Sequence, residues 1–164
     1  MEHLKTILSK ICDMGALHEK TRQWRSEGRR IVFTNGCFDI MHRGHVEYLS
    51  KAADLGDALI VGVNSDASVS KLKGPHRPII EESSRTLLLA ALECVDAVVI
   101  FGEETPARLI REITPDVLVK GGDYTEATII GADWVRANGG DVRCIPLTPG
   151  CSTSYIEAKI KNQR

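Results

Sequence analysis

Residues 33–45 read FTNGCFDIMHRGH, and the pattern of apolar residues changes within this stretch. The apolar run IVFTN at residues 31–35 is typical of a buried strand, and the glycine that follows ends the run. From Gly44 onward, GHVEYLSKAADLG has the period of an amphipathic helix. The stretch therefore predicts a strand, a turn and a helix, with His42 and His45 where the helix begins.

The same alternation of strand and helix continues along the chain. Apolar runs predict five strands, at residues 31–35, 58–64, 97–102, 116–122 and 141–147. Parallel neighbours need crossover connections, so the helical segments between these runs predict an α/β fold with a parallel sheet covered by helices on both faces. In such sheets ligands bind at the carboxyl ends of the strands.

The first 27 residues precede the first predicted strand and form a helical arm, followed by one domain at residues 28–164. Apolar residues recur in the arm at near-helical spacing: Leu4, Ile7, Leu8, Ile11 and Leu17. The arm can dock on its own domain or on a second copy of the chain in a homo-oligomer, and we expect the first. A chain of 164 residues suits a single compact core.

The composition disfavours several classes of partner. Lys and Arg number 21 against 22 Asp and Glu, a net charge of -1, so no overall field attracts a nucleic acid or an anionic membrane. No apolar run reaches the roughly 18 residues of a transmembrane candidate, and the N-terminus lacks the apolar stretch of a secretory signal. Five scattered cysteines without a CxxC pair argue against a disulfide framework. We expect a soluble, cytoplasmic protein.

The two histidines are suited to binding phosphate. His42 and His45 lie three positions apart, so in a first helical turn they share a face and can donate to neighbouring phosphate oxygens. The helix start at Gly44 adds free N–H groups, and Gly36 lets the backbone approach a ligand. A lone HxxH is also typical of a capped helix with two surface histidines. A zinc site with Cys37 has no further ligand at metal-site spacing, so no metal ligand is assigned.

A cluster of cations lies in SKLKGPHRPI, residues 70–79, within the one extended loop, residues 69–81. Lys71, Lys73 and Arg77 are carried on a segment that contains glycine and proline and can move. Cations on a mobile loop can clamp phosphates after the ligand arrives and stabilise a transferring phosphoryl group. A solvated basic loop is the alternative.

Two more segments suit a phosphate-bearing ligand. VLVKGGDY puts Lys120, Gly121 and Asp123 at the carboxyl end of the fourth predicted strand, where the ligand is expected. In LTPGCSTSYIEAKI, Ser152 and Thr153 precede a helix, where hydroxyls act as N-caps and can also bind phosphate. A plain turn and a simple cap are the alternatives for these two segments.

The absence of several motifs narrows the chemistry. No GxxxxGK[ST] is present, the NGCFD turn has no GxGxxG, and no GxSxG occurs. These gaps disfavour P-loop kinases, dinucleotide oxidoreductases and serine hydrolases of the α/β class. A site rich in phosphate donors and without an evident nucleophile favours direct nucleotidyl transfer between two phosphate-bearing substrates.

In this order, the segments resemble the HxGH-type cytidylyltransferase-like nucleotidyltransferases over residues 31–160. GCFDIMHRGH, GVNSDAS, KLKGPHRPI, ALECVDAVV, TPDVLVKGGDY and GCSTS look most like the heptose 1-phosphate adenylyltransferases of that family. Leu147 stands where the glycerol-phosphate branch usually has an arginine, and Ser154 replaces the second threonine of its STT motif. Since 164 residues cannot also hold a kinase half, the resemblance implies a stand-alone adenylyltransferase.

The resemblance implies a Rossmann-like doubly wound sheet and a reaction in which a sugar 1-phosphate attacks the α-phosphorus of ATP and releases pyrophosphate, with Mg²⁺ accompanying ATP. The implied catalytic residues are His42, His45, Lys71 and Lys73. Asn64 and Arg77 would bind the sugar substrate. The implied nucleotide-binding residues are Thr34, Asn35, Gly36, Cys37, Phe38, Gly44, Lys120, Gly121, Asp123, Ser152 and Thr153.

Two alternatives stay open. The same chemistry would serve a cytidylyl- or guanylyltransferase acting on glycerol 3-phosphate or another sugar phosphate, because nucleobase contacts from backbone groups leave no sequence signature. A nucleotide sensor that binds without catalysis is the alternative of a different class, and retention of both histidines and both lysines argues against it.

Overall fold

The computed structural model describes residues 2–122 and 128–162, which fold around one parallel sheet. The fold is the expected α/β, Rossmann-like one, but the described residues contain six strands where five were predicted. Their spatial order is β1-β4-β3-β2-β5-β6, and every neighbouring pair is parallel. The strands are β1 (Ile11–Cys12), β2 (Ile31–Gly36), β3 (Ala58–Asn64), β4 (Ala97–Phe101), β5 (Val117–Gly121) and β6 (Asp141–Ile145).

Helices cover both faces of the sheet, as the alternation predicted. The helices are α1 (Glu2–Leu8), α2 (Met14–Ser26), α3 (Arg43–Ala53), α4 (Asp66–Lys73), α5 (Glu82–Ala90), α6 (Ala107–Ile113), α7 (Ala132–Ala137) and α8 (Thr153–Lys161). In the described part of the chain, no helix is both long and apolar enough to cross a membrane.

The side chains of the strands alternate between two separate cores. Ile31 and Phe33 pack with α2, α6 and α7 on one face, whereas Val32 between them packs with α3 and α5 on the other. All seven residues of β3 are buried, which explains its unbroken apolar run ALIVGVN. A strand with both faces buried lies at the centre of a doubly wound sheet and positions rigid ends for a site.

The sixth strand lies in the N-terminal arm, which sequence periodicity alone predicted to be helical. Ile11 pairs with Val98 at the edge of the sheet, and a two-residue strand is too short to give a period-2 signal. The arm packs on its own domain, since Leu17 and Trp24 of α2 belong to the same core as Phe33. The boundary between residues 1–27 and 28–164 stays a prediction.

The chain reverses its direction of travel across the sheet between β2 and β5. From β2 it proceeds outward through β3 to β4, and then returns to place β5 on the other side of β2. The carboxyl ends of β2 and β5 therefore form the topological switch point, where a crevice opens in sheets of this type. Gly36 ends one of these strands and Gly121 ends the other.

Candidate active site

Three adjoining cavities run along the carboxyl ends of the strands, and we call them together the strand-end groove. Their volumes are about 310, 170 and 250 Å³. The first and second cavities share Asn35, Gly36, Cys37 and Lys120. The second and third share His45, Lys73, Leu147 and Thr153. The shared walls make one elongated groove, which suits a ligand longer than a single phosphate.

The two histidines lie together in this groove at the start of α3. His42 is the N-cap residue, and the ring of His45 stacks on it with centroids 3.8 Å apart. The ring of Phe38 meets that of His45 edge-on, with centroids 5.4 Å apart. The Nδ1 atoms of both histidines are buried and lack a hydrogen-bond partner among the described residues. Buried polar atoms are normally paired, so this unpaired state favours a ligand-binding role over a capped surface helix.

Burial and charge hold both imidazoles in the neutral form. Burial lowers the pKa of His42. Burial, the neighbouring His42 and the ammonium of Lys73 lower the pKa of His45 to about 4. A phosphate group in the groove would have the opposite effect, because a nearby negative charge favours the imidazolium. The site is therefore charged least when empty and gains positive charge when an anion binds.

Gly44 allows α3 to approach the loop that leads into α8. A Cβ at this position would lie 2.9 Å from Cβ of Cys151 and 3.1 Å from the ring of His42. A methyl group there would push the two segments apart. The glycine between the histidines therefore brings the last helix to the histidine pair.

The N-terminus of α8 forms the far wall of the third cavity. Ser152 is its N-cap, and the Ser152 hydroxyl accepts a hydrogen bond of 3.1 Å from the N–H of Tyr155, which confirms the predicted cap. Ser152, Thr153 and Ser154 line the cavity together with His42 and His45. Two helix N-termini thus face the same space, which favours an anion there.

The structure separates the two lysines that the sequence grouped on a mobile loop. Residues 66–73 form α4, capped by the Ser65 hydroxyl, so that Lys71 and Lys73 lie in the last turn of a helix and the predicted loop is shorter. The Ser65 cap and the burial of Ser68 and Val69 stabilise this helix, although a glycine and a proline follow it. Both lysines are exposed, but only Lys73 lines the groove beside His45, and Lys71 is outside the groove's described walls.

Lys120 places a cation at the centre of the groove. Its Nζ donates to the backbone oxygen of Asn35 at 3.3 Å and to Asn35 Oδ1 at 3.2 Å, which ties β5 to β2 across the switch point. Burial lowers the pKa of Lys120. Gly121 follows, and a Cβ there would lie 2.9 Å from Leu147 and 3.0 Å from Tyr48, so the groove wall closes tightly over this strand end.

Several predicted site residues have other partners in the structure. The Thr34 hydroxyl is buried and hydrogen-bonded to Tyr48 at 2.6 Å, beneath the groove. Asn64 lines the first cavity, but its amide nitrogen donates to Ser68 at 3.0 Å. Arg77 forms ion pairs with two carboxylates and is not brought to the groove among the described residues. Asp123 lies outside the described residues. The binding roles of all four stay predictions.

Sequence reasoning missed Arg85, a fully buried arginine under the groove. Its guanidinium donates to the backbone oxygens of Cys37 at 2.5 Å and Asn64 at 2.8 Å, and to Asp66 at 2.7 Å. It thereby fixes the ends of β2 and β3 and the start of α4. The sequence did contain one sign that Arg85 is buried: it lies four residues before Leu89, on the apolar face of α5.

The part of the chain that the structure describes contains no cluster of metal-ligating side chains. No three His, Cys, Asp or Glu side chains come together there as a metal site. The donors of the groove are instead imidazoles, ammonium groups and helix N–H groups, which suit phosphate oxygens.

Known proteins match this chain closely. Residues 33–157 match the cytidylyltransferase-like family. The chain is 52% identical over 151 residues to the "Bifunctional protein HldE" of Methylobacillus flagellatus, covering 92% of this chain and 31% of that protein. It is 55% identical over 148 residues to the "Bifunctional protein HldE" of Rhodopseudomonas palustris, covering 90% of this chain and 30% of that protein. The chain thus spans about a third of the length of these curated relatives.

Solved structures agree with the family assignment. The crystal structure of the lipopolysaccharide core biosynthesis protein from Thermoplasma volcanium superposes with a TM-score of 0.61 at 29% identity, covering 74% of this chain and 98% of that one. Pantoate-beta-alanine ligase from Francisella tularensis superposes with a TM-score of 0.62 at 14% identity, covering 92% of this chain and 76% of that one, and shares the fold alone. With the family match spanning most of its length, the chain belongs to the cytidylyltransferase-like family.

Proposed function

We propose that this chain is an adenylyltransferase that transfers AMP from ATP to a heptose 1-phosphate and yields ADP-heptose and pyrophosphate. The observation that carries the proposal is the stacked pair His42 and His45, with unpaired buried nitrogens, between Lys73 and the N-terminus of α8. Identity above 50% to the bifunctional HldE proteins supports the heptose substrate. The similar lipopolysaccharide core biosynthesis protein supports a place in surface-glycan precursor synthesis.

The reaction needs positioning and charge stabilisation and no covalent enzyme intermediate. An oxygen of the sugar 1-phosphate attacks the α-phosphorus of ATP, and the bond from that phosphorus to the oxygen bridging to the β-phosphorus breaks. Pyrophosphate leaves with the bonding electrons. Negative charge builds up on the transferring and leaving phosphates, so preorganised donors are the main source of rate enhancement.

The residues of the groove divide this work by position. His42, His45 and Lys73 donate to the phosphate oxygens around the reacting phosphorus. The N–H groups and hydroxyls at the start of α8, at Ser152 and Thr153, hold the departing pyrophosphate. Lys120 and the backbone after β2 hold the nucleotide in the first and second cavities. The sugar phosphate then approaches from the side of the groove that faces solvent.

Mg²⁺ would arrive with ATP. It prefers octahedral oxygen ligands, keeps several waters and is commonly held by substrate phosphates. Among the described residues no three His, Cys, Asp or Glu side chains come together, so phosphate oxygens and waters would supply most of its ligands. There it would neutralise charge on the triphosphate.

All five cysteines are described and none forms a disulfide, which supports a reducing compartment such as the cytoplasm.

The test is release of pyrophosphate by the purified chain with Mg²⁺. ATP, CTP and GTP are each combined with heptose 1-phosphate and with glycerol 3-phosphate, and the His45→Ala variant, purified identically, controls for contaminating activity. We expect release only from ATP with the heptose phosphate. Release from CTP or GTP would indicate a cytidylyl- or guanylyltransferase, and release from ATP with glycerol 3-phosphate would indicate an adenylyltransferase with another acceptor. Nucleotide binding without release from any pair would support the sensor and overturn the proposal.

A further inference from the structure

We infer that Arg77 is a positioning residue, which links the turn after β2 to α8 and thereby holds the N-terminus of α8 against the histidine pair. The inference rests on the proposed function, since α8 supplies the groups that hold the departing pyrophosphate. It gives Arg77 a role through other residues, in place of direct contact with the sugar substrate.

The guanidinium of Arg77 joins two carboxylates from distant parts of the chain. One nitrogen donates to Oδ2 of Asp39 at 2.6 Å, and the other donates to the carboxylate of Glu157 in α8. The Asp39 side chain is fully buried and also accepts from the N–H groups of Ile79 at 2.7 Å and Ile80 at 3.0 Å. Arg77 itself is only 15% exposed. Asp39 is thus a fixed anchor, because three donors surround it.

The helix that Arg77 reaches has little apolar attachment of its own. None of the nine residues of α8 is buried, and Tyr155 and Ile160 are 57% and 59% exposed. Helices are normally held by an apolar face, so polar contacts take a larger share of the work here. In the loop before α8, the Thr148 hydroxyl donates to Glu47 of α3. Of the ion pairs that α8 forms with described residues, the one between Arg77 and Glu157 joins the helix to a distant part of the chain, whereas the one between Lys161 and Glu157 is local.

The position of α8 matters for the chemistry. Its N-terminus carries Ser152 and Thr153 into the cavity that contains both histidines. Displacement of a catalytic group by about 1 Å can lower a rate by roughly a hundredfold. Loss of the Arg77 contact would leave the fold of the sheet intact and let α8 move away from the groove.

Glu157 offers a matched pair of variants, because it has two cationic partners. Its carboxylate accepts from Arg77 and also from Lys161 at 3.0 Å, one turn further along α8. Glu157→Gln weakens both contacts at nearly constant shape, whereas Lys161→Gln removes only the exposed one. Neither change alters the buried Asp39, so both variants should fold. Thermal unfolding of both variants checks this.

The expected result is a change confined to the nucleotide side of the reaction. In Glu157→Gln the KM for ATP rises roughly tenfold while the KM for the sugar phosphate is unchanged. Lys161→Gln matches the wild type in both constants. A double variant of Arg77→Lys with Glu157→Gln is no worse than the more damaged single variant, because each single change already weakens the contact that the two residues share.

Hydrogen exchange gives a readout that does not depend on turnover. Amides of Thr153–Lys161 should exchange at least severalfold faster in Glu157→Gln than in Lys161→Gln or the wild type, in full-length protein without nucleotide. Equal exchange in all three proteins overturns the inference. Faster exchange with an unchanged KM for ATP also overturns it, because the position of α8 would then not matter.

The two proposals fail in different ways. If the wild type releases no pyrophosphate from any substrate pair, the proposed function fails, and inorganic pyrophosphate becomes the probe. Weaker binding of pyrophosphate by Glu157→Gln than by Lys161→Gln, together with faster exchange of α8, would still support the positioning role of Arg77. Equal binding would overturn it.

Discussion

The imidazole rings of His42 and His45 stack with their centroids 3.8 Å apart and their planes 23° from parallel. Two imidazolium ions at this distance would repel each other strongly, so the pair favours neutral rings until a negative charge enters the groove. The HxxH spacing produces this contact, because it places His45 about one helical turn after His42. Under the proposed function, an arriving polyphosphate would supply that charge, and the pair would then donate to its oxygens.

Replacement of His45 by alanine should lower turnover by roughly a hundredfold or more, since loss of one preorganised donor typically costs about 2.7–4 kcal/mol of barrier. His18→Ala is the control, because His18 lies on α2 and pairs with Glu112. Steady-state kinetics of both variants, with thermal unfolding to confirm folding, provide the measurement. Near-wild-type turnover in a folded His45→Ala protein would remove this histidine from catalysis.

The two lysines of α4 should differ in importance. Lys73→Ala should lower kcat by tenfold or more, on the order of the loss expected for one cation at a transferring phosphoryl group. Lys71→Ala should change kcat less than threefold, because residues two apart on a helix face different directions and only Lys73 lines the groove. Kinetics of the two variants under identical conditions decide the point. Equal losses would mean that α4 rearranges when the nucleotide binds.

Much of this architecture follows from local pattern in the sequence. β2, β3 and β5 have near-continuous apolar runs because their side chains are buried on both faces, and this signal survives without an alignment, whereas the edge strand β6 exposes Arg143 and gives a weaker signal. The groove position followed from parallel topology, since strand ends collect at one edge. The positions of His42, Lys120 and Ser152 along the groove followed from the sequence because each lies at a strand end or a helix start, whereas Lys73 was expected on a loop and lies instead in the last turn of α4.

Other features depend on contacts that sequence spacing does not encode. β1 is two residues long and forms only because β4 offers an edge. As a cation on a predicted loop, Arg77 resembled a phosphate ligand. In the structure it pairs with Asp39 and Glu157, which lie 38 and 80 positions away from it in the sequence. Arg85 is a buried cation, and burial of a cation requires acceptors for its hydrogen bonds. Backbone oxygens from separate segments supply them here. Such long-range pairings require the fold itself.

Gly44→Ala should disturb the site more than the stability. A Cβ at residue 44 would lie 2.9 Å from Cβ of Cys151, so the loop before α8 must shift. Overpacking of this kind costs about 1–3 kcal/mol of unfolding free energy, and we expect turnover to fall tenfold. Gly15→Ala in α2 is the control, since its Cβ would meet only Asp13 at 3.4 Å.

Helix propensity alone should make Gly15→Ala more stable by about 0.5–1 kcal/mol, with unchanged turnover. Chemical denaturation and steady-state kinetics of both glycine variants give the comparison. A Gly44→Ala protein that keeps full turnover would show that close contact between α3 and the loop before α8 is not needed for the reaction.

The stability of the protein should depend on pH through His45. Its pKa is about 4 in the folded chain against an ordinary value of 6.5, chiefly because of burial, with His42 and Lys73 adding to the effect. Between these two values the unfolded chain binds a proton that the folded chain does not. The free energy of unfolding therefore falls as the pH is lowered from about 6.5 toward 4, and this contribution is fully present above 6.5.

Urea denaturation between pH 4 and pH 7.5 should show this loss in the wild type and a shallower slope in His45→Gln, which keeps a polar side chain but does not titrate. Saturating pyrophosphate should also make the slope shallower in the wild type, because a bound anion raises the pKa of His45 toward its ordinary value. The second effect separates a ligand site from a merely buried histidine. Identical slopes with and without pyrophosphate, at concentrations that saturate the groove, would place the anion away from His45.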